Sequence, residues 1–237
     1  MAEILYYPDN EYQKKFDSIV SKVKEDKGYI CLEETLFYKE GGGQPSDQGK
    51  LEWENGEAKV VDVQKSHGEI RHFIEGDFPE SGVEVHGDID WLRRYKHMRM
   101  HTAQHILSWV VLNKYDAATV GNQIHQEYSR IDFEPADFNE KDIEEIEKAV
   151  NSMIDEAEEV EKKEMSRDLV EEKVTEGRTN LDLIPDGIDP LRVVMIGEDV
   201  CPCGGTHVNN LEELEGIEII ERISKGKDVE RLKFKLK

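Results

Sequence analysis

The sequence is short of cysteine, of basic residues and of long apolar runs. Only three of its 237 residues are cysteine, and two of them, Cys201 and Cys203, stand one residue apart. An odd count with that spacing argues against a disulfide framework and fits a reducing compartment. Cys31, in the run Gly28 to Leu32, reads as a small buried hydrophobe. No stretch reaches the ~20 apolar residues of a membrane span, and the N-terminus lacks the basic and apolar regions of a signal peptide. A soluble, cytoplasmic chain with no membrane partner is the expectation.

Basic residues are outnumbered: 31 Lys and Arg face 53 Asp and Glu, a formal charge of −22. A chain of that charge repels phosphate backbones on approach, which argues against tight non-specific binding of nucleic acid. The excess is uneven, however. Residues 137–176 hold 16 acidic and 6 basic residues, residues 91–105 hold four basic and no acidic ones, and residues 222–237 hold seven basic against two acidic. The two basic stretches leave room for a defined contact with phosphate, although such a run is usually only a solvated face.

What is present begins with His101-Thr-Ala-Gln-His105, opening the apolar run Ile106, Leu107, Trp109, Val110, Val111, Leu112. Residues four apart share a helix face, so the two imidazoles converge on one point. About a hundred residues on, Cys201-Pro-Cys203-Gly-Gly-Thr-His207 repeats the three-residue separation between a thiol and an imidazole, with a Gly-Gly turn to aim both inward. His101, His105, Cys203 and His207 make a zinc-type ligand set for one ion per chain. Either half alone is weak, since paired histidines on a helix are more often surface or core residues. Cys201 leaves open which thiol binds, and the spacing to His207 favours Cys203. His97, four before His101, reads as packing or surface.

The metallopeptidase position for a general base, after the first His or before the second, holds Thr102 or Gln104 here. Neither takes up a proton at neutral pH, which makes a zinc peptidase or amidase a poor alternative. A non-enzymatic module tied together by the metal is the other alternative. Glu40-Gly-Gly-Gly-Gln-Pro-Ser-Asp-Gln-Gly49 lacks the Lys-Ser/Thr ending of a P-loop, so nucleoside triphosphate binding is unsupported. That loop is either a hairpin connection or a place where the backbone approaches another surface closely.

The rest of the pattern bounds the fold. Phe16, Ile19, Val20 and Val23 allow a short helix. Short β-leaning runs then follow, Tyr29 to Phe37, Lys50 to Trp53, Ala58 to Gln64, Ile70 to Ile74 and Val83 to Asp88, punctuated by turn signals. They predict a small barrel or sandwich over residues 1–90. Two strands are expected over 118–133 with polar residues at their join. A helix capped by Asn139 carries the stripe Ile143, Ile146, Val150, Met153, Ile154, Ala157, Val160. A short helix from Ser166, a strand Leu191 to Ile196 that delivers the cysteine loop, and two terminal strands, 217–223 and 230–236, complete it. The expected class is α+β: a small N-terminal β-barrel-like domain with a glycine-rich loop over residues 1–90, and a mixed α/β metal-binding domain over residues 91–237.

These motifs in this order, Leu36-Phe-Tyr-Lys-Glu-Gly-Gly-Gly-Gln-Pro-Ser-Asp-Gln-Gly49, His101-x-x-x-His105 and Cys203-Gly-Gly-Thr-His207, resemble the editing domain of alanyl-tRNA synthetase and its free-standing relatives, the AlaX-type alanyl-tRNA editing proteins. The likeness runs over nearly the whole chain. With no aminoacylation domain before it and no extension after the last strand, the medium-length class is the nearest match, and a monomer is expected. The resemblance implies hydrolysis of the ester joining a wrong amino acid, chiefly serine and secondarily glycine, to tRNA specific for alanine, engaged at its aminoacylated 3′ end. It places zinc on His101, His105, Cys203 and His207. Gln104, Thr119 and Asn122 fall where the family contacts the amino acid, and Gly42, Gly43 and Gln44 occupy the glycine motif near the active pocket. A pocket built for serine's hydroxyl leaves a polar group unpaired when alanine enters, a discrimination on the order of 10⁴; glycine would be accepted on size alone. Four protein ligands close a zinc site as in structural centres, and His207 is the ligand expected to be loosely held.

Overall fold

The computed structural model describes residues 2–185 and 187–237. Its contacts divide the chain into two units, Met1–Lys96 and His97–Lys237. The class is α+β, with a closed barrel in the first unit and helices over two small sheets in the second.

Eight strands build the first unit: β1 (Glu3–Ile4), β2 (Lys15–Lys24), β3 (Tyr29–Leu32), β4 (Glu34–Thr35), β5 (Gly49–Trp53), β6 (Gly56–Ser66), β7 (Glu69–Gly76) and β8 (Glu84–Ile89). Six of them close a barrel in the order β2-β3-β7-β6-β5-β8, while β1 and β4 pair in parallel outside it. Strict alternation explains the closure. On β8 Val85, Gly87 and Ile89 point inward, and on β7 Ile70, His72 and Ile74 do. Val20, Ile30, Leu32, Leu51, Val60 and Val63 complete an apolar centre. Gly87 is there because a Cβ would stand 2.2 Å from a ring carbon of Phe16, its partner across β2 and β8.

The segment expected to be a short helix is strand β2. Phe16 and Val20 satisfy a four-residue helical spacing and a two-residue strand spacing alike. Ser18 between them is buried while Ile19 is 42 % exposed, so the two-residue period is the real one.

The second unit holds most of α1 (Trp91–Tyr115), then β9 (Ala118–Gln123), β10 (Ser129–Glu134), α2 (Glu140–Asp155), β11 (Val160–Met165), α3 (Arg167–Lys173), β12 (Leu191–Ile196), β13 (Asp199–Pro202), β14 (Ile217–Gly226) and β15 (Val229–Leu236). One sheet runs β14-β15-β10-β9, the other β11-β12-β13. Asn139 caps α2 as expected. Its side chain takes the Lys141 and Asp142 N–H groups, and Asp142 returns a bond to the Asn139 N–H. The helix stops at Asp155, short of Val160, because residues 160–165 are a strand that the helical stripe concealed. Its buried positions are Val160 and Lys162 on one face and Met165 on the other. A lysine facing inward hides a strand from any apolar count; Lys162 meets that burial by bonding Asn209 Oδ1.

Candidate metal centre

Every residue of α1 from His97 to Leu112 is buried except Arg99 and Trp109, which are partly so. A helix covered on all sides is ordinarily apolar throughout. This one carries His97, His101, Thr102, Gln104, His105 and Ser108, and buried polar groups need partners. Those of His101 and His105 come from the other end of the unit. Strands β12 and β13 deliver the loop Cys203–His207, so that donor atoms of His101, His105, Cys203 and His207 all lie within 4.8 Å of one another. Cys203 Sγ stands 3.4 Å from His207 Nε2 and 3.7 Å from His101 Nε2. Ring centroids of His207 are 4.4 and 4.5 Å from those of His101 and His105. His97, although buried, is outside this group of donors.

The donor set fits zinc. Metal bonds of 2.0–2.3 Å in a tetrahedron separate neighbouring ligand atoms by about 3.4–3.8 Å, the spacing of the thiol and its two imidazole neighbours. Burial, then the Arg192, His97 and Arg178 charges, lowers the His101 pKa to about 3. His105 and His207 are held well below the ordinary imidazole value for the same leading reason. All three rings are therefore neutral and offer lone pairs. His105 Nδ1 is sealed from solvent without a partner. Burial, followed by Cys201, pushes the Cys203 thiol up to about 11; a dication held by the three neutral rings would favour the thiolate that burial disfavours.

Tertiary contacts hold these ligands. Thr102 Oγ1 accepts the Val208 N–H at 3.2 Å and lies 3.1 Å from His207 Nδ1. With Nδ1–H directed at the threonine, the Nε2 lone pair of His207 faces the cluster. His207 is fully buried, with Thr102 Oγ1 against its Nδ1. Arg192, itself buried, donates from Nη1 to the Cys203 and Gly205 carbonyls at 2.8 and 2.9 Å, and the Gly205 N–H points at Cys203 Sγ from 3.3 Å. Arg178 forms a two-pronged buried pair with Asp199 at 2.7 and 2.8 Å and reaches the His105 carbonyl at 3.4 Å. Cys201 is buried beside Thr179 Oγ1 at 3.5 Å, outside the donor group. Thr102, Arg178 and Arg192 went unread in the sequence. Only Thr102 left a signal, a hydroxyl inside the His-x-x-x-His spacing.

Gln104 is buried and Thr119 partly exposed, joined through Ser108 Oγ at 2.8 Å on each side. Thr119 and Asn122 are three apart and would ordinarily face opposite sides of β9. A bulge at Val120 pairs Thr119 with Phe133 and Asn122 with Ile131, two fully buried residues of the same face of β10, so both polar side chains share it. Gly42, Gly43 and Gln44 belong to the first unit. Gly41 and Gln44 exchange backbone bonds of 3.1 and 2.9 Å across Gly42 (φ +58°) and Gly43 (φ +81°). That is a hairpin turn with two left-handed centres, which glycine fills without strain. Gln44 is fully buried.

The basic stretches are largely occupied. Arg94 is sealed against Asp47, and its Nη1 and Nη2 donate to the Glu11 and Leu36 carbonyls. Arg93 donates to the Ser46 carbonyl, and Arg99 pairs with Glu215. Phosphate contact through Arg94 is thereby excluded. On the terminal hairpin Arg222, Arg231, Lys233 and Lys235 pair with Glu230, Asp132, Glu221 and Glu218. No helix among the described residues is long and apolar enough to cross a membrane.

Comparison with known proteins agrees with this architecture. Residues 3–93 match the family model of class II (A) tRNA synthetases, and residues 191–233 match that of the threonyl and alanyl tRNA synthetase second additional domain. The chain is 41 % identical to the alanyl-tRNA editing protein AlaX-M of Methanosarcina barkeri, across all of this chain and 99 % of that one. It is 36 % identical to the alanyl-tRNA editing protein AlaX-L of Pyrococcus horikoshii, across 99 % of this chain and 58 % of the relative. With the alanine–tRNA ligase of Pyrobaculum arsenaticum it shares 37 % identity over 94 % of this chain and 26 % of the ligase. The chain belongs to the family of alanyl-tRNA editing proteins.

Proposed function

We propose that the protein hydrolyses, in trans, the ester bond of mischarged tRNA for alanine, chiefly the seryl and also the glycyl species, at a zinc centre held by His101, His105, Cys203 and His207. As a member of its family it is an editing deacylase; the choice of amino acid and the dependence on zinc are the parts proposed. The observation that carries the reading is the convergence of three neutral imidazoles and one thiol, from segments about a hundred residues apart, in a chain alike along its whole length to AlaX-M. Residues 91–237 form the editing domain in this reading, the chain acts as a monomer, and the tRNA enters by its aminoacylated 3′ end.

Zinc bound there supplies a Lewis-acid charge beside the ester. The chain's own residues supply orientation. Gln104 and Thr119, with Asn122 on the same face of β9 as Thr119, present amide and hydroxyl groups to the amino acid. A serine hydroxyl satisfies them, and alanine leaves them unpaired. Thr102 keeps His207 in one tautomer, and Arg192 holds the loop that carries Cys203. Gly42, Gly43 and Gln44 are assigned to the substrate on family likeness.

The test is a deacylation assay with seryl-, glycyl- and alanyl-tRNA for alanine, with and without chelator. The expected result is release of serine, loss of release on chelation, recovery with zinc, and retention of alanine. A folded, metal-loaded protein that leaves seryl-tRNA intact refutes the reading.

A further inference from the structure

Four polar residues of α1 fall on one stripe. His101, Gln104, His105 and Ser108 are related as i, i+3, i+4 and i+7, so Ser108 lies one turn beyond the second imidazole on the face that carries the ligands. Its neighbours along the helix, Ile106, Leu107, Val110 and Val111, are buried and apolar, and Ser108 itself is 2 % exposed. A buried hydroxyl is retained there at a cost unless it is bonded.

Two bonds end on its oxygen. Gln104 Nε2 donates to Ser108 Oγ at 2.8 Å, and Thr119 Oγ1 lies 2.8 Å from the same oxygen. The Thr119 hydroxyl donates as the amide nitrogen does, so Ser108 accepts both bonds on its two lone pairs. Two consequences follow. The Gln104 carboxamide is held with its oxygen turned away from Ser108, and Oε1 is not among the buried atoms left without a partner. Thr119, its hydroxyl proton committed to Ser108, keeps lone pairs to accept with, and it stands at the partly exposed end of the relay. Two acceptors, Gln104 Oε1 and Thr119 Oγ1, each tied to the same oxygen, match a group that gives a hydrogen bond, as an alcohol does.

We infer that Ser108 is a positioning residue that fixes the polarity of Gln104 and Thr119, and thereby makes the site select an amino acid bearing a hydroxyl. This rests on the hydrolase reading and deepens it: selection for serine resides in a three-residue relay, with its centre out of the substrate's reach.

The test compares kcat/KM for seryl- and glycyl-tRNA in the zinc-loaded full chain and in Ser108→Ala. Glycine has no hydroxyl to be read, so the ratio of the two values isolates the relay from any general damage. The ratio is expected to fall about tenfold or more, the size of effect seen when a hydrogen-bonding site loses its match. Thr119→Val should lower the same ratio, and Thr119→Ser should keep it. Binding of hydrolysis-resistant 3′-serylamido- and 3′-glycylamido-adenosine, measured by calorimetry, should show the same selective loss. An unchanged ratio in Ser108→Ala, whether both rates hold or both drop together, makes Ser108 a packing residue and overturns the inference. A folded wild-type protein that releases neither amino acid is a separate result: it removes the hydrolase reading and this inference with it.

Discussion

Thr102 Oγ1 and His207 Nδ1, residues 105 positions apart in the chain, lie 3.1 Å from each other beneath the cluster of ligands. The contact joins the helix that supplies two imidazoles to the loop that supplies the third. Its value lies in the tautomer it selects. Thr102→Val is expected to weaken zinc binding about tenfold to a hundredfold, the usual effect of removing such a supporting bond. Thr102→Ser should stay near the wild-type value. Competition with a chromophoric chelator measures both, and equal affinity in all three proteins contradicts the role given to the threonine.

His105→Ala removes one of four donors and the buried, unpartnered Nδ1 with it. The expected outcome is loss of stoichiometric zinc, from one ion per chain to a small fraction, together with loss of serine release. Elemental analysis after dialysis reads the first and deacylation the second. A variant that keeps both refutes the ligand assignment.

In the first unit Asp47 faces Arg94, both fully buried. Asp47 Oδ2 also takes the Tyr38 N–H at 2.7 Å. Asp47→Ala leaves a guanidinium enclosed without its counter-charge, and a loss of roughly 3–5 kcal/mol of folding stability is expected. Urea denaturation checks it. Replacing both partners with apolar residues of similar volume should be much milder than either single change.

His72, inside the barrel, has its pKa lowered by burial to about 4. Its Nε2 sits 2.9 Å from Thr35 Oγ1. The folded value lies below the unfolded one near 6.5, so the unfolded chain binds the proton first. The contribution is complete above about pH 6.5 and is lost as the pH falls toward 4, about 3 kcal/mol in all. His72→Gln should flatten that part of the stability profile. A constant offset between the two proteins from pH 7 to pH 4 would show that His72 does not titrate as described.

The ligands were legible because their chemistry is rare and their spacing is local. Two imidazoles four apart require only a helix, and a thiol and imidazole flanking Gly-Gly require only a turn. The barrel was legible from alternation, apart from β2, where Phe16 and Val20 satisfy two periods at once. Strand β11 stayed hidden because Lys162 faces inward and its partner, Asn209, is 47 residues away. The bulge at Val120 leaves no mark in the sequence, yet it decides that Thr119 and Asn122 share a face. The roles of Thr102 and Ser108 stayed hidden for a related reason: a hydroxyl on a helix declares its partner only once the tertiary fold has brought that partner within reach.

The Gly42–Gly43 turn places two successive centres in a region of backbone space that side chains enter at a cost of about 1 kcal/mol or more each. Open space around Gly42 offers no remedy, since the obstacle is torsional and a larger residue meets no neighbour there to blame. A saturation scan of this loop should show a narrow notch of intolerance two codons wide, with asparagine and aspartate the mildest replacements. Lengthening the loop by a single residue should do more harm than most exchanges within it.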